Sequence, residues 1–276
     1  MRTFISKVVV FLVVAALSIE VGSAILIFTD LYLIGYPGRD VYHSIDKSKD
    51  KKKSKKLLLG DSVGQQLFSN KTNNDTINSL ACNQAIGVVG QYLLLSNYLK
   101  AGNNVDTVFM IFAPSSFKNN LDQRFTYHYF LKPFDTPEYS ALFTPTVKEQ
   151  IGKIPYHQYS KVPHIYATSW APDFVPSDTA DFSFLSPVSA EYLARMKELS
   201  VRHNFRLIIL PTPTKINKKQ WLDTIDKKEI QAYGLNKEFA DYFEKIIYLD
   251  STHFIDDTHL IHPEKYTQVY KKQLLR

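Results

Sequence analysis

A single cysteine, Cys82, stands in the 276-residue chain, so no disulfide can form within it. It follows Leu80 and Ala81 and reads as a buried structural thiol. The chain also lacks a spread of positive charge, despite a net +6. The stretch Lys47–Lys56 holds seven lysines and one aspartate, and the remainder is close to neutral. Reading nucleic acid requires a basic patch on a folded face together with base-reading side chains. The sequence offers no such patch, and no nucleic-acid partner is expected. A second cluster of metal ligands is missing too. His253, Asp256, Asp257, His259 and His262 lie close together, but nothing elsewhere completes a coordination set, so no metal and no cofactor are expected.

What is present suffices for one sizeable core, with 45% hydrophobic and 13% aromatic residues. Residues 1–36 read as a membrane anchor. The run 8–19 is continuously apolar, and the apolar character resumes over 21–28 and 31–34. Gly22-Ser23-Ala24 imitates a signal-peptide cleavage site, yet the long apolar continuation favours an uncleaved transmembrane helix of about 20 residues or more. Glu20 is costly in lipid and is expected to face a partner helix or an interface. Residues 37–56 read as a solvated Lys-rich linker that can rest on anionic headgroups. Arg2 and Lys7 favour a cytoplasmic amino terminus, while the lysine tract pulls the other way.

From residue 57 to 276 strands and helices alternate. Leu57-Leu58-Leu59 is a short buried strand, and Ile77–Ala81, Val105–Ala113, Phe205–Leu210 and Ile246–Leu249 are expected to be others. Helices are expected after Ser62, through Leu99, from Ser186-Pro187 (serine as cap, proline at the first helical position), over Phe239–Glu244 and over Pro263–Leu275. This alternation implies an α/β fold with a parallel sheet covered by helices on both faces. Residues 117–183 form an irregular insertion rich in Tyr, Phe, Pro and His. It reads equally as a lid or binding element with exposed aromatics and as packing beneath a loop.

Two short stretches carry chemistry. Gly60-Asp61-Ser62 places a serine at the carboxyl end of the first strand, the edge where open α/β sheets bind ligands. Nearly 200 residues later, Asp256-Asp257-Thr258-His259 sets a carboxylate three residues from an imidazole, so that one loop can present both. A serine hydroxyl needs a base to become a nucleophile, and the base needs an orienting group.

In this order and at these chain ends, the two blocks resemble the SGNH (GDSL-type) hydrolases. The resemblance implies a flavodoxin-like three-layer sandwich. It assigns Ser62 as nucleophile, His259 as general base and Asp256 as the group that orients His259. It also implies that the Gly87 N–H lines an oxyanion hole, with Gly90 as the alternative. The family's third block ordinarily supplies an asparagine after the third strand. Here Ala113-Pro114-Ser115-Ser116 stands in its place, and Ser115, Ser116, Asn119 or Asn120 is left to donate the second hydrogen bond. The expected activity is that of a serine esterase or O-acyltransferase working through an acyl-enzyme. Its expected partners are an acylated, in particular acetylated, envelope carbohydrate or a small ester, and the membrane through the amino-terminal helix. The catalytic domain is expected outside the cytoplasm of a bacterium. The rival reading is a non-catalytic polysaccharide-binding or assembly protein on the same fold.

Overall fold

A computed structural model describes residues 1–71, 76–173 and 182–275. Residues 72–75, and residues 174–181 of the 117–183 insertion, therefore lie outside the described residues.

Four parallel strands form the central sheet: β1 (Lys56–Gly60), β2 (Ile77–Ser79), β3 (Thr107–Phe112) and β4 (Arg206–Pro211), in the order β2-β1-β3-β4. Leu58 pairs with Phe109, and Met110 with Ile209. A parallel sheet covered on both faces buries every position, which explains the unbroken apolar runs. Leu57, Leu59, Val108, Met110 and Phe112 join the larger core on one face. Leu58, Phe109 and Ile111 join a smaller core on the other. β5 (Thr214–Lys215) and β6 (Tyr248–Leu249) form a separate parallel pair. The chain crosses from one side of β1 to the other between β2 and β3. A doubly wound sheet opens a crevice at such a switch point, at the carboxyl ends of β1 and β3.

The helices that matter for the site are α1 (Arg2–Phe28), α2 (Arg39–Lys49), α3 (Ser62–Leu67), α4 (Gly87–Lys100), α5 (Pro145–Lys153), α6 (Pro163–Ala167), α7 (Pro187–His203) and α8 (Glu264–Leu275). α7 starts as its sequence predicts: the Ser186 hydroxyl accepts from the Ser189 N–H at 3.0 Å, and Pro187 opens the helix. α1 is 27 residues long and apolar enough to cross a membrane; Ser23 is its one buried residue. Cys82 is fully buried, and burial pushes its thiol up.

Two expectations need correction. Residues 37–56 are not a solvated linker throughout. α2 packs on α4, burying Val41, Ser44, Ile45 and Ser48. The amide of Asn97 in α4 donates to the Ser48 hydroxyl at 3.1 Å, and Lys47 donates to the Asn70 carbonyl at 2.7 Å. Val41, Ser44, Ile45 and Ser48 recur at helical spacing, and the high lysine content hid that face. Phe239–Glu244 is also not a regular helix. Its hydrogen bonds mix three- and four-residue spans, as in Tyr242 N–H to Phe239 carbonyl and Lys245 N–H to Asp241 carbonyl. Turns of this kind let Phe239 and Tyr242 pack around Phe117. The insertion divides between the two readings offered for it. Phe117, Tyr127, Phe130 and Phe134 are fully buried, whereas Phe125, Tyr156, Tyr159 and Trp170 face outward.

Candidate active site

β1 delivers Ser62 to the switch point through a tight turn. The Asp61 carboxylate caps α3, accepting from the Val63 N–H at 3.0 Å and the Gly64 N–H at 3.1 Å. Its other oxygen accepts from the Ala113 N–H at 2.6 Å and the Ser116 hydroxyl at 2.8 Å. Asp61 is fully buried; burial pushes its carboxyl up, and these donors pull it back toward the anion. One side chain thus ties the turn after β1 to the turn after β3. Gly60 and Gly64 permit the close approach: a Cβ on either would lie 2.7 or 2.8 Å from the Ile111 carbonyl.

Asp256 and His259 stand at the tip of a short excursion whose two sides meet at a Phe254–Leu260 bridge. Phe254 and Leu260 are buried in the smaller core beside Leu58 and Val63, which seats the tip against α3. The Ile255 N–H donates to the His259 carbonyl at 2.8 Å and closes the turn. Asp256 accepts from the His259 and Thr258 N–H groups, both at 2.8 Å, and its second oxygen meets the His259 Nδ1 at 2.7 Å. Partial burial works to raise this carboxyl, but the hydrogen bonds from His259 and Thr258 prevail and hold it at about 2. An ionised Asp256 accepts only, so the proton of the imidazole sits on Nδ1. Nε2 then offers its lone pair to the Ser62 Oγ, 2.9 Å away. The structure therefore brings the three expected residues into one line from carboxylate to imidazole to hydroxyl. A hydroxyl within hydrogen-bond reach of an imidazole that a carboxylate orients is the arrangement of a nucleophile and its base.

The oxyanion side departs from expectation. Gly87 has a φ of 58° and closes the turn after Gln84–Ile86, with its N–H donating to the Gln84 carbonyl. That N–H is committed to the turn. The Asn119 amide is engaged as well, donating to the Gln84 carbonyl at 2.9 Å and accepting from the Leu121 N–H at 2.8 Å. Ser116 serves Asp61, and the Asn120 side-chain oxygen Oδ1 accepts from the Val188 N–H at 3.3 Å. Ser115 is half-buried. The Ser62 N–H meets no acceptor among the described residues. Gly90 lies against the Ile86 side chain, where a Cβ would come within 2.5 Å.

Two glutamines were not anticipated. Gln66 sits four residues after Ser62, on the same face of α3. Its amide accepts from the Leu260 N–H at 3.0 Å and donates to the Leu260 carbonyl at 3.4 Å, gripping the peptide next to His259. Gln91 holds Gly60 in the same two-sided way, at 3.2 and 2.8 Å. The spacing from Ser62 could have pointed to Gln66; nothing in the sequence marks Gln91. Lys215 and Lys218 brace the tip from another side through Asp257, at 3.1 and 3.2 Å. The remaining histidines of the carboxy-terminal block turn elsewhere, His253 to the Tyr266 hydroxyl and His262 to Glu264. Among the described residues, no three potential metal ligands converge.

No family model and no curated protein matches this chain. A solved structure from Streptococcus pneumonia, described as a candidate platelet activating factor, is 13% identical with a TM-score of 0.35; the match covers 91% of this chain and 98% of that one. So distant a likeness carries no argument about this protein.

Proposed function

We propose that this protein is a membrane-anchored serine esterase or O-acyltransferase of the SGNH (GDSL-type) kind, acting on acetyl esters of an envelope carbohydrate. The observation that carries this reading is the line from Asp256 through His259 to Ser62, with heavy-atom separations of 2.7 and 2.9 Å. Ser62 Oγ attacks the ester carbonyl carbon as its proton passes to His259 Nε2. The tetrahedral intermediate collapses to an acyl-serine, and the same proton leaves with the departing alcohol. Water then attacks the acyl-serine in hydrolysis, or a sugar hydroxyl does so in transfer; His259 takes the incoming proton and returns it to Ser62. Asp256 stays ionised and stabilises the imidazolium that forms in each half-reaction. The Ser62 N–H, which meets no acceptor among the described residues, is a donor for the developing oxyanion, and loss of one such donor costs about 10²–10³ in rate. With α1 as the anchor and the amino terminus in the cytoplasm, the site lies outside, where an acetylated polysaccharide is available.

The test follows free acetate and acetylated oligosaccharide formed from an acetylated polysaccharide by the detergent-solubilised chain, with and without a deacetylated oligosaccharide as acceptor, compared with Ser62→Ala. Free acetate formed without acceptor identifies a hydrolase, and acetyl groups that leave the polysaccharide and appear on the oligosaccharide identify a transferase. The engaged Gly87 and Asn119 favour the non-catalytic rival. Polysaccharide binding of equal strength in parent and Ser62→Ala, with neither free acetate nor acetylated oligosaccharide formed, would replace the enzyme reading by that one.

A further inference from the structure

The surface around α6 has the composition and the position of a lipid-facing element. We propose that it sits in the headgroup layer of the bilayer that α1 crosses, so that the folded domain lies on the membrane and is not held above it on a tether. The proposal rests on the reading of α1 as a membrane span.

The first observation is a rigid junction. Glu20, on α1, meets the His164 ring of α6 and accepts from the His164 N–H at 3.2 Å. Just beyond α1, Tyr32 packs against Tyr36, Tyr42 and Tyr166, with ring centroids 5.8, 5.9 and 5.4 Å apart. The Tyr42 hydroxyl donates to that of Tyr166 at 2.8 Å. Since α2 is folded onto α4, no slack chain separates the span from the domain.

The second is depth. Glu20 stands eighteen residues from Arg2 and thirteen from Lys7. At about 1.5 Å per residue these separations are about 27 and about 20 Å. The hydrocarbon core of a bilayer is about 30 Å thick. With Arg2 or Lys7 at the near interface, Glu20 reaches no farther than the far edge of the hydrocarbon. α6 is docked at that level. Lifting it into bulk water would draw the amino-terminal charges into the lipid.

The third is what α6 and its neighbours present there. Trp170, Tyr156 and Tyr159 are 44%, 56% and 48% exposed, although their rings adjoin one another at 6.3 and 6.5 Å. Phe28, Leu31 and Ile34, where the chain leaves α1, are exposed as well. Tyrosine and tryptophan settle at headgroup level because their rings are apolar and their tips polar. Trp170 cannot swing away independently. The buried Lys132 amine donates to the Ile165 and Thr168 carbonyls at 2.7 Å and to the Trp170 carbonyl at 3.2 Å, tying that segment to α6.

The chain has two tryptophans, so the difference between the parent and Trp170→Phe reports Trp170 alone. The full chain is reconstituted in phosphatidylcholine–phosphatidylglycerol vesicles. Trp170 emission is then quenched either by lipids brominated near the headgroup or by aqueous iodide. The expected result is quenching several-fold greater by the brominated lipid than by iodide, in a chain that stays with the vesicles through alkaline carbonate. Strong iodide quenching without lipid quenching, in a chain that resists carbonate, overturns the proposal and leaves the anchor standing. Release by carbonate with Trp170 unquenched by lipid overturns both. A Trp170 shielded from both quenchers also overturns the proposal and points to a protein partner on this face.

Discussion

Replacing Asp61 by asparagine keeps the shape of the turn and changes only its hydrogen-bond inventory. The carboxylate accepts from Val63, Gly64, Ala113 and Ser116, at 2.6–3.1 Å. Asparagine has one acceptor oxygen and an NH2 that must face two former donors. The lower-cost orientation turns the NH2 toward Ser116, whose hydroxyl can rotate to accept, and orphans the Ala113 N–H. An orphaned buried donor costs about 1–3 kcal/mol, and each of the two remaining bonds falls from about 1.5–3 to about 0.5–1.5 kcal/mol once the charge is gone. Against this, the variant avoids burying a charge, the same effect that pushes the Asp61 carboxyl up. The expected net loss is about 2–3 kcal/mol, or roughly 4–12 °C in Tm for a domain of this size. Thermal unfolding of the solubilised parent and variant, followed by circular dichroism, measures it. Ser116→Ala supplies the control: it should cost less in the Asp61→Asn background than in the parent, since the two groups act on one another. A variant melting within about 2 °C of the parent, with additive behaviour in the pair, would refute the reasoning.

Gly64→Ala brings a Cβ within 2.8 Å of the Ile111 carbonyl and forces α3 away from β3. It should cost about 1–3 kcal/mol by overpacking. Gly152→Ala in α5, where the new Cβ meets nothing within 4 Å, should instead be neutral or stabilise by about 0.4–1 kcal/mol in the same denaturation series. Asp256→Asn should lower esterase turnover by about 10³–10⁴-fold, because the imidazole is no longer fixed with its proton on Nδ1. The same substitution alters the acid limb. Asp256 in the folded chain is held at about 2, below the ordinary value of about 3.9. Its contribution is therefore present above about pH 4 and lost as pH falls toward about 2. The Tm difference between parent and variant should shrink across that window and stay constant above it.

The sheet was legible because its signal is local and strong. Unbroken apolar runs at Leu57–Leu59 and Val105–Ala113 fit strands buried on both faces, and the punctuation by Gly60 and Pro114 places their ends. Ser62, Asp256 and His259 were legible through their spacing and their positions at the two ends of the fold. Residues that act through distant backbone were harder to see. Gln91 grips Gly60 across 31 positions, and no periodic pattern announces it. α2 was hidden because its buried face, Val41, Ser44, Ile45 and Ser48, runs into the Lys47–Lys56 tract, which dominates any reading by charge. The oxyanion side was misjudged for a similar reason. Whether the N–H of Gly87 points into the site or back to Gln84 is set by the turn geometry, and a glycine at that position is compatible with both.

The central claim is that His259 activates Ser62, and reaction with a fluorophosphonate tests it most directly. The full-length chain in detergent is treated with the probe, and the modified residue is located by mass spectrometry, alongside Ser62→Ala and His259→Ala. Labelling at Ser62 that disappears in both variants is the predicted result. A folded parent that takes no label, or one labelled equally with and without His259, would contradict it.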